Sequence, residues 1–421
     1  MWTKNLKIRI ANIMQNEDVK TLANNFAWLS VLKVIGYIFP LITLPYLAKV
    51  IGAEGFGKIA FASAIMVWIQ TIADWGFNLT ATRDVAKSRE NINMVSEIFS
   101  NVLWARCILV IVSFIILLLL ILLVPKFYEN RAVILVTFLM IPGHIFFPDW
   151  FFQAIEKMKY ITIFNVLIKL IFTIAVFVFI KQKEDYILQP LFISLGYIVC
   201  GVLSFYFIIF RWKINLLKPS IREIISSIKR STDVFINNLA PNLYNSLSIV
   251  LLGVWSGSTS TGIFDGGYRF ISICNQVLHI LEQSFYPFLS RNINKHNVFL
   301  LINLMVSTIM FLGLFIGAPL IVKYLLSPEF TKSVWVIRIL SFSIFFRAIS
   351  NVYGKNYLIL VNKERLLRNV TLSCSLLGLI IAIPLIFYFS YVGASIAITI
   401  GIFLMALNIT IFAKKIKKYE C

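Results

Sequence analysis

The stretch VLWARCILVIVSFIILLLLILLV, Val102–Val124, carries a single charge, Arg106, near its start. At about 1.5 Å of rise per residue, a helix of this length crosses a hydrocarbon core of about 30 Å. Such stretches recur near residues 26–48, 59–78, 99–124, 132–153, 160–180 and 187–210. They recur again near 233–254, 268–290, 298–322, 334–360, 370–389 and 391–413. Backbone amides in lipid must be satisfied internally, so these segments are helices or a closed barrel. Their apolarity is continuous rather than alternating, which excludes the barrel. The sequence therefore reads as an all-α polytopic membrane protein with about 12 transmembrane helices.

Composition agrees. Of 421 residues, 59% are hydrophobic and 14% charged, and the mean hydropathy is +0.85. The loops leave no room for a soluble catalytic domain. A net charge of +20 would point a soluble protein toward nucleic acid. Here Lys and Arg concentrate in alternate loops, as membrane topology requires. With a cytoplasmic N-terminus, the inside segments hold Lys4, Lys7 and Arg9, then Arg83, Lys87 and Arg89, the run Arg211 to Arg230, and Lys414 to Lys418. The outside loops hold only scattered cations such as Lys49, Lys126, Lys183 and Lys332. This roughly threefold bias predicts both termini in the cytoplasm. No short apolar core with a cleavage site opens the chain, so the first span is expected to serve as the targeting signal.

Catalytic chemistry finds no foothold. Cys107, Cys200, Cys274 and Cys374 lie in apolar segments, and with Cys421 they form no close pair. They read as small core residues, with neither a disulfide nor a metal site. His144, His279 and His296 are too scattered for a metal cluster, and no Gly-rich phosphate loop precedes a Lys. No catalytic residue, metal or cofactor is expected, and the choice between proton and sodium coupling stays open.

The largest basic segment falls at the midpoint. Residues 1–210 are expected to form one six-helix bundle, 211–232 a cytoplasmic linker and 233–421 a second six-helix bundle. In the linker Ile221, Ile224, Ile225 and Ile228 fit either an amphipathic helix on the inner leaflet or a plain connection. Asn24-Asn25 and Asn237-Asn238 open the two halves, and Gly55-Phe56-Gly57 resembles Gly262-Ile263-Phe264. Six is an even number, so the repeats would be parallel, with a substrate site between them.

Ionisable residues inside spans are costly and face a cavity or a partner. Lys33, Lys169, Arg269 and Arg347 outnumber the acids Asp74 and Glu282, which are candidates for pairing or ion coupling. Asp74 and Arg106 sit near helix ends, where snorkelling to the interface would suffice. A positive excess favours an anionic substrate such as a pyrophosphate; alternatively each cation pairs off to hold the bundle. Asn238, Asn242 and Asn245 share one helical face, where amides suit sugar hydroxyls or join helices to each other. Pro40, Pro45 and Pro241 are candidate hinges, since proline weakens the helical ladder.

Particular runs carry a family resemblance. They include Asn25 with Trp28-Leu29, Pro40, Leu44-Pro45 and Gly52-Ala53-Glu54-Gly55-Phe56-Gly57. Ala73-Asp74-Trp75-Gly76-Phe77 and Ala81-Thr82-Arg83 continue the pattern. The most specific run is Pro148-Asp149-Trp150-Phe151-Phe152-Gln153-Ala154-Ile155-Glu156-Lys157-Met158, with Ala154 where Gly is usual. Gly262-Ile263-Phe264 and Tyr286-Pro287 fit as well. Together they resemble the O-antigen flippases of the multidrug/oligosaccharidyl-lipid/polysaccharide exporter superfamily. The resemblance implies a transporter, not an enzyme. It would move undecaprenyl-pyrophosphate-linked repeat units from the cytoplasmic to the periplasmic leaflet of the bacterial inner membrane by alternating access. The cations would meet the pyrophosphate and the asparagines the sugars, while the lipid tail stays in the bilayer outside a lateral opening. Expected partners are the lipid-linked oligosaccharide, membrane lipids and other polysaccharide assembly proteins, with no nucleic acid. The alternatives are an ion-coupled multidrug exporter of the same superfamily, which would want an acidic cavity, and a polysaccharide polymerase, which would want a long outer loop.

Overall fold

The computed structural model describes residues 17–243, 245–291, 296–361 and 363–420, and every regular element among them is helical. The helices are α1 (Glu17–Val50), α2 (Gly52–Asp74), α3 (Phe77–Lys87), α4 (Ile92–Leu123), α5 (Pro125–Glu129), α6 (Arg131–Phe138), α7 (Met140–Phe146) and α8 (Asp149–Ala154). They continue as α9 (Met158–Phe179), α10 (Leu188–Tyr206), α11 (Ile221–Leu239), α12 (Ser246–Arg291), α13 (His296–Leu325), α14 (Ser333–Tyr353) and α15 (Glu364–Glu420). Among the described residues, nine segments are long and apolar enough to cross a membrane. Two of them each contain one non-helical residue, Gly257 in α12 and Ser390 in α15. Counting both sides of each break, together with α1, gives the twelve helices expected. On α13 the exposed residues Leu301, Met305, Ile309, Leu312, Ile316 and Leu320 form one stripe at helical spacing. An apolar exterior of this kind belongs in lipid, and the chain is a multi-pass membrane protein.

Several boundaries differ from the sequence reading. The second span begins at Gly52, not near 59, so the Gly-rich run is itself helical. The fourth span is three short helices, broken at Leu139 and at Phe147-Pro148. The expected linker is only partly a connection. Its second part is the start of α11, which packs on α4, α2 and α3. Its first part lies extended along α4, because Ser96 Oγ accepts from Asn215 N (3.1 Å), Ser100 Oγ accepts from Leu217 N (3.0 Å), and Trp104 Nε1 donates to Leu217 O (3.1 Å).

The most specific signature run is core. Trp150, Phe151 and Phe152 are almost fully buried. Phe151 meets Phe99 at 5.1 Å between ring centroids, and Phe152 meets Trp212 at 5.5 Å. Large aromatics packed edge to face are among the strongest apolar contacts a chain can make. Here they fasten α8 to α4 and to the start of the extended strap.

The helices fall between two ends. The basic end carries the segments around 83–91, 155–159 and 211–230, and the far end carries the helix start at 51–58, the kink at 257–259 and the connections around 180–187 and 326–332. At the far end α2 and α12 cross at backbone contact. A Cβ on Gly57 would overlap the carbonyl of Ser258, and one on Gly262 would overlap the carbonyl of Ala53. The two contacts exchange partners under a shift of 205 in number, and Gly52 (φ 67°) and Gly257 (φ 80°), both in left-handed turns, obey the same shift. Only glycine takes such turns and such an approach at low cost. Gly57 therefore matches Gly262, which corrects the alignment of Gly55-Phe56-Gly57 with Gly262-Ile263-Phe264.

Candidate functional site

A cavity of about 260 Å³ lies between α1 and α12. Gly36, Pro40, Leu41 and Leu44 line one wall, and Arg269, Ser272, Ile273 and Gln276 line the other. Arg269 donates from Nε to Asp265 Oδ2 (2.9 Å), and its guanidinium lies 4.4 Å from the Phe56 ring centroid. The ion pair holds the guanidinium at the cavity without removing its other donors, which are free to fork onto an anion. The ammonium of Lys169 in α9 stands 3.1 Å from where a Cβ of Gly36 would sit. Gly36 thus leaves room for a cation beside the cavity. Lys169 has no carboxylate partner among the described residues.

The structure brings Lys169 to Gly36 and Arg269 to the cavity that Gly36 lines, and places the other candidates elsewhere. Lys33 is on α1 with its side chain outside the described part of the structure. Arg347 lies in α14, where its buried Nε has no hydrogen-bond partner among the described residues. Glu282, buried in α12, accepts through its backbone carbonyl from Asn356 Nδ2 (3.5 Å).

The asparagine face does not form. The helix breaks into a 3₁₀ turn at Ala240–Leu243, which carries Pro241, so Asn238, Asn242 and Asn245 lose the common register of an α-helix. Asn238 is exposed, and Asn242 donates from Nδ2 to Thr71 Oγ1 on α2 (2.9 Å). This amide joins two helices. Pro40 and Pro45 lie inside an unbroken α1, whereas Pro241 coincides with a break.

Arg106 does not snorkel. It is 1% exposed and donates from Nη2 to Asp74 Oδ1 at 2.5 Å. A buried charge is tolerated only with such a partner. The same Nη2 lies 3.1 Å from His144 Nδ1 on α7, and His144 Nε2 lies 3.1 Å from the amide of Gln70 on α2. A guanidinium cannot accept, so in the contact with Arg106 the Nδ1 of His144 is the acceptor. This cluster ties α2, α4 and α7 into one body. His144 and Gln70 escaped the sequence reading because they meet Arg106 and each other only through packing between helices.

Comparison with known proteins adds to this geometry. Residues 22–293 match the model of a family described as polysaccharide biosynthesis protein. A protein of Escherichia coli (strain K12) provisionally named O-antigen transporter is 29% identical over 415 residues, covering 96% of this chain and 100% of that one. The lipid II flippase MurJ, solved in an inward closed conformation, superposes with a TM-score of 0.73 at 14% identity, covering 91% of this chain and 87% of that one. A multidrug resistance MATE family transporter of the MOP superfamily, solved facing inward, superposes with a TM-score of 0.69 at 14% identity, covering 93% and 97%. The fold is that of these transporters, and the chain belongs to the polysaccharide biosynthesis protein family.

Proposed function

We propose that this protein is a flippase that carries a lipid-linked oligosaccharide unit across a bacterial inner membrane by alternating access between residues 1–210 and 233–421. The observation that carries this reading is the cavity between α1 and α12, in which one basic group, Arg269, stands among Leu41, Leu44 and Ile273 and the polar Ser272 and Gln276. Arg269 supplies positive charge for a pyrophosphate, with Lys169 behind Gly36. Leu41, Leu44 and Ile273 supply a surface on which a lipid tail can rest while its head enters. The basic end would face the cytoplasm, following the Lys and Arg bias, and the unit would travel toward the far end. Undecaprenyl pyrophosphate is the carrier that this reading names. The family match and the likeness to a provisionally named O-antigen transporter support a polysaccharide precursor as cargo.

Lipid extracts from cells lacking the protein test this. Accumulation of a single-unit lipid-linked glycan on the cytoplasmic face, relieved by the restored chain, is the expected result. Normal glycan export together with altered drug resistance would favour the multidrug exporter instead.

A further inference from the structure

Three segments far apart in sequence meet at one carboxylate at the far end. Glu329 lies in the short 3₁₀ turn Pro328–Phe330 between α13 and α14. Its Oε2 accepts from the backbone N–H of Ala53, in the first turn of α2, at 2.7 Å. Its Oε1 accepts from Lys183 Nζ, in the turn between α9 and α10, at 2.7 Å. The next residue, Phe330, is fully buried, and its ring meets Phe56 edge-on at 5.6 Å, which plants the turn in the crossing of α2 and α12.

Gly52 belongs to the same device. It turns into α2 with φ 67°, and a Cβ there would stand 2.5 Å from Glu329 Oε2. The glycine that opens the Gly52–Gly57 run thus clears the place where the carboxylate docks. The site borders a cavity of about 550 Å³ shared by Glu54, Lys58, Lys183, Glu184, Tyr186, Thr259 and Glu329. Glu54 is engaged with Lys58 at 2.7 Å, which leaves Glu329 to Lys183. The hydrogen bond from Lys183, and after it the one from Ala53, hold the Glu329 carboxyl below the usual carboxylate range. Glu329 in turn holds the Lys183 ammonium above its ordinary value.

We propose that Glu329 is the latch of the far end: its carboxylate ties the α13–α14 turn to the start of α2 and to the α9–α10 turn, and the two halves part there only when it lets go. The inference rests on the transport reading for its purpose but not for its test. An exposed ion pair alone is a weak fastener. This one also caps a helix N-terminus, where a negative charge gains from the backbone dipoles, and it spans the two halves where opening must begin. A weak, exposed fastener is what a repeatedly opening gate needs.

Spin labels at Lys49 and Trp255, near the α2–α12 crossing, would report the opening in the full chain in lipid nanodiscs, on a background with the native cysteines replaced. Distances are read by double electron–electron resonance. Unaltered latch residues should give a dominant short distance with a small longer-distance population. Glu329→Gln should raise a longer-distance population by about twofold to fivefold, the range an exposed ion pair supports. Lys183→Met should raise it less, and Lys183→Arg should leave it unchanged. An identical distribution for Glu329→Gln overturns the latch. Equal behaviour of Lys183→Met and Lys183→Arg overturns its electrostatic basis. Neither reading depends on export, so failure here leaves the flippase proposal standing, and the reverse also holds.

Discussion

The seam between α2 and α11 is pinned by close side-chain contacts beside a cavity of about 380 Å³ that Thr80, Glu223 and Ser231 line. The seam between α1 and α12 holds a cavity of about 260 Å³ that Gly36, Leu41 and Arg269 line. Under the shift of 205 these are equivalent places. At the pinned seam the Trp75 ring stacks on Phe235 at 3.9 Å with planes 3° apart. Thr80 and Ser231 hydroxyls bond at 2.7 Å, and Asn242 bonds Thr71. Gly76 lets the helices close, since a Cβ there would fall 2.7 Å from Val234 Cβ. The residues that the same shift matches in number are different: Ser30 and Ile280 correspond to Phe235 and Trp75, and Leu281 corresponds to Gly76. Ser and Ile lack the flat rings that stack at Trp75 and Phe235, and Leu lacks the freedom that lets Gly76 adopt a positive φ. The difference teaches that a handful of side chains separates a seam held by stacked rings and hydroxyls from one lined by Gly36, Leu41 and Arg269, and the proposed function makes the second the entrance.

Locking the entrance should have the largest effect. Cysteines at Leu41 and Ile273, joined by a short bifunctional thiol reagent, should abolish glycan export, and a cleavable reagent should restore it on reduction. The same treatment at Thr71 and Asn242, across the pinned seam, should cost far less. Equal inhibition at both would erase the distinction between the seams.

Opening the pinned seam comes next. Gly76→Val forces a branched side chain against Val234 and into a left-handed turn (φ 80°). Overpacking and backbone strain together should cost about 3 kcal/mol or more, seen as loss of the monodisperse peak in detergent gel filtration. Leu281→Val, its counterpart at the entrance, should cost only about 1 kcal/mol.

A smaller and more selective loss is expected from charge. Arg269→Ala should lower export about tenfold at normal abundance, the scale of one charge-assisted hydrogen bond, and Arg269→Lys should keep part of it. Export at the normal level in Arg269→Ala would leave the cavity without its proposed role.

The smallest effect is the acid response of the far end. The Glu329 carboxyl is held below its ordinary value, so its fastening is fully present above the ordinary carboxylate range and is lost as pH falls through the lowered value. The longer distance between labels at Lys49 and Trp255 should therefore stay rare down to about pH 4 and grow only below it. Growth already near neutral pH would assign the opening to another group.

The entrance residues were half visible in the sequence. Arg269 stood out as a cation in an apolar span, because transfer cost is a local property. The role of Gly36 was invisible, since its meaning lies in Lys169 reaching it from another helix. Asn238, Asn242 and Asn245 misled for a related reason. Their spacing holds only in an unbroken helix, and the 3₁₀ turn carrying Pro241 breaks it. Arg106 misled through depth. Distance along a span does not say which way a helix faces, and the partners Asp74 and His144 are 32 and 38 residues away.

The sequence by itself determined the twelve apolar spans, the alternation of basic loops and the family, because hydropathy, charge and motif spacing are read residue by residue along the chain. Only the tertiary structure decided the partners of Arg106, the close crossing of α2 and α12 at Gly57 and Gly262, and the meeting of Gly52, Lys183 and Glu329. These depend on which helix faces meet, and that choice is made by packing many distant side chains at once.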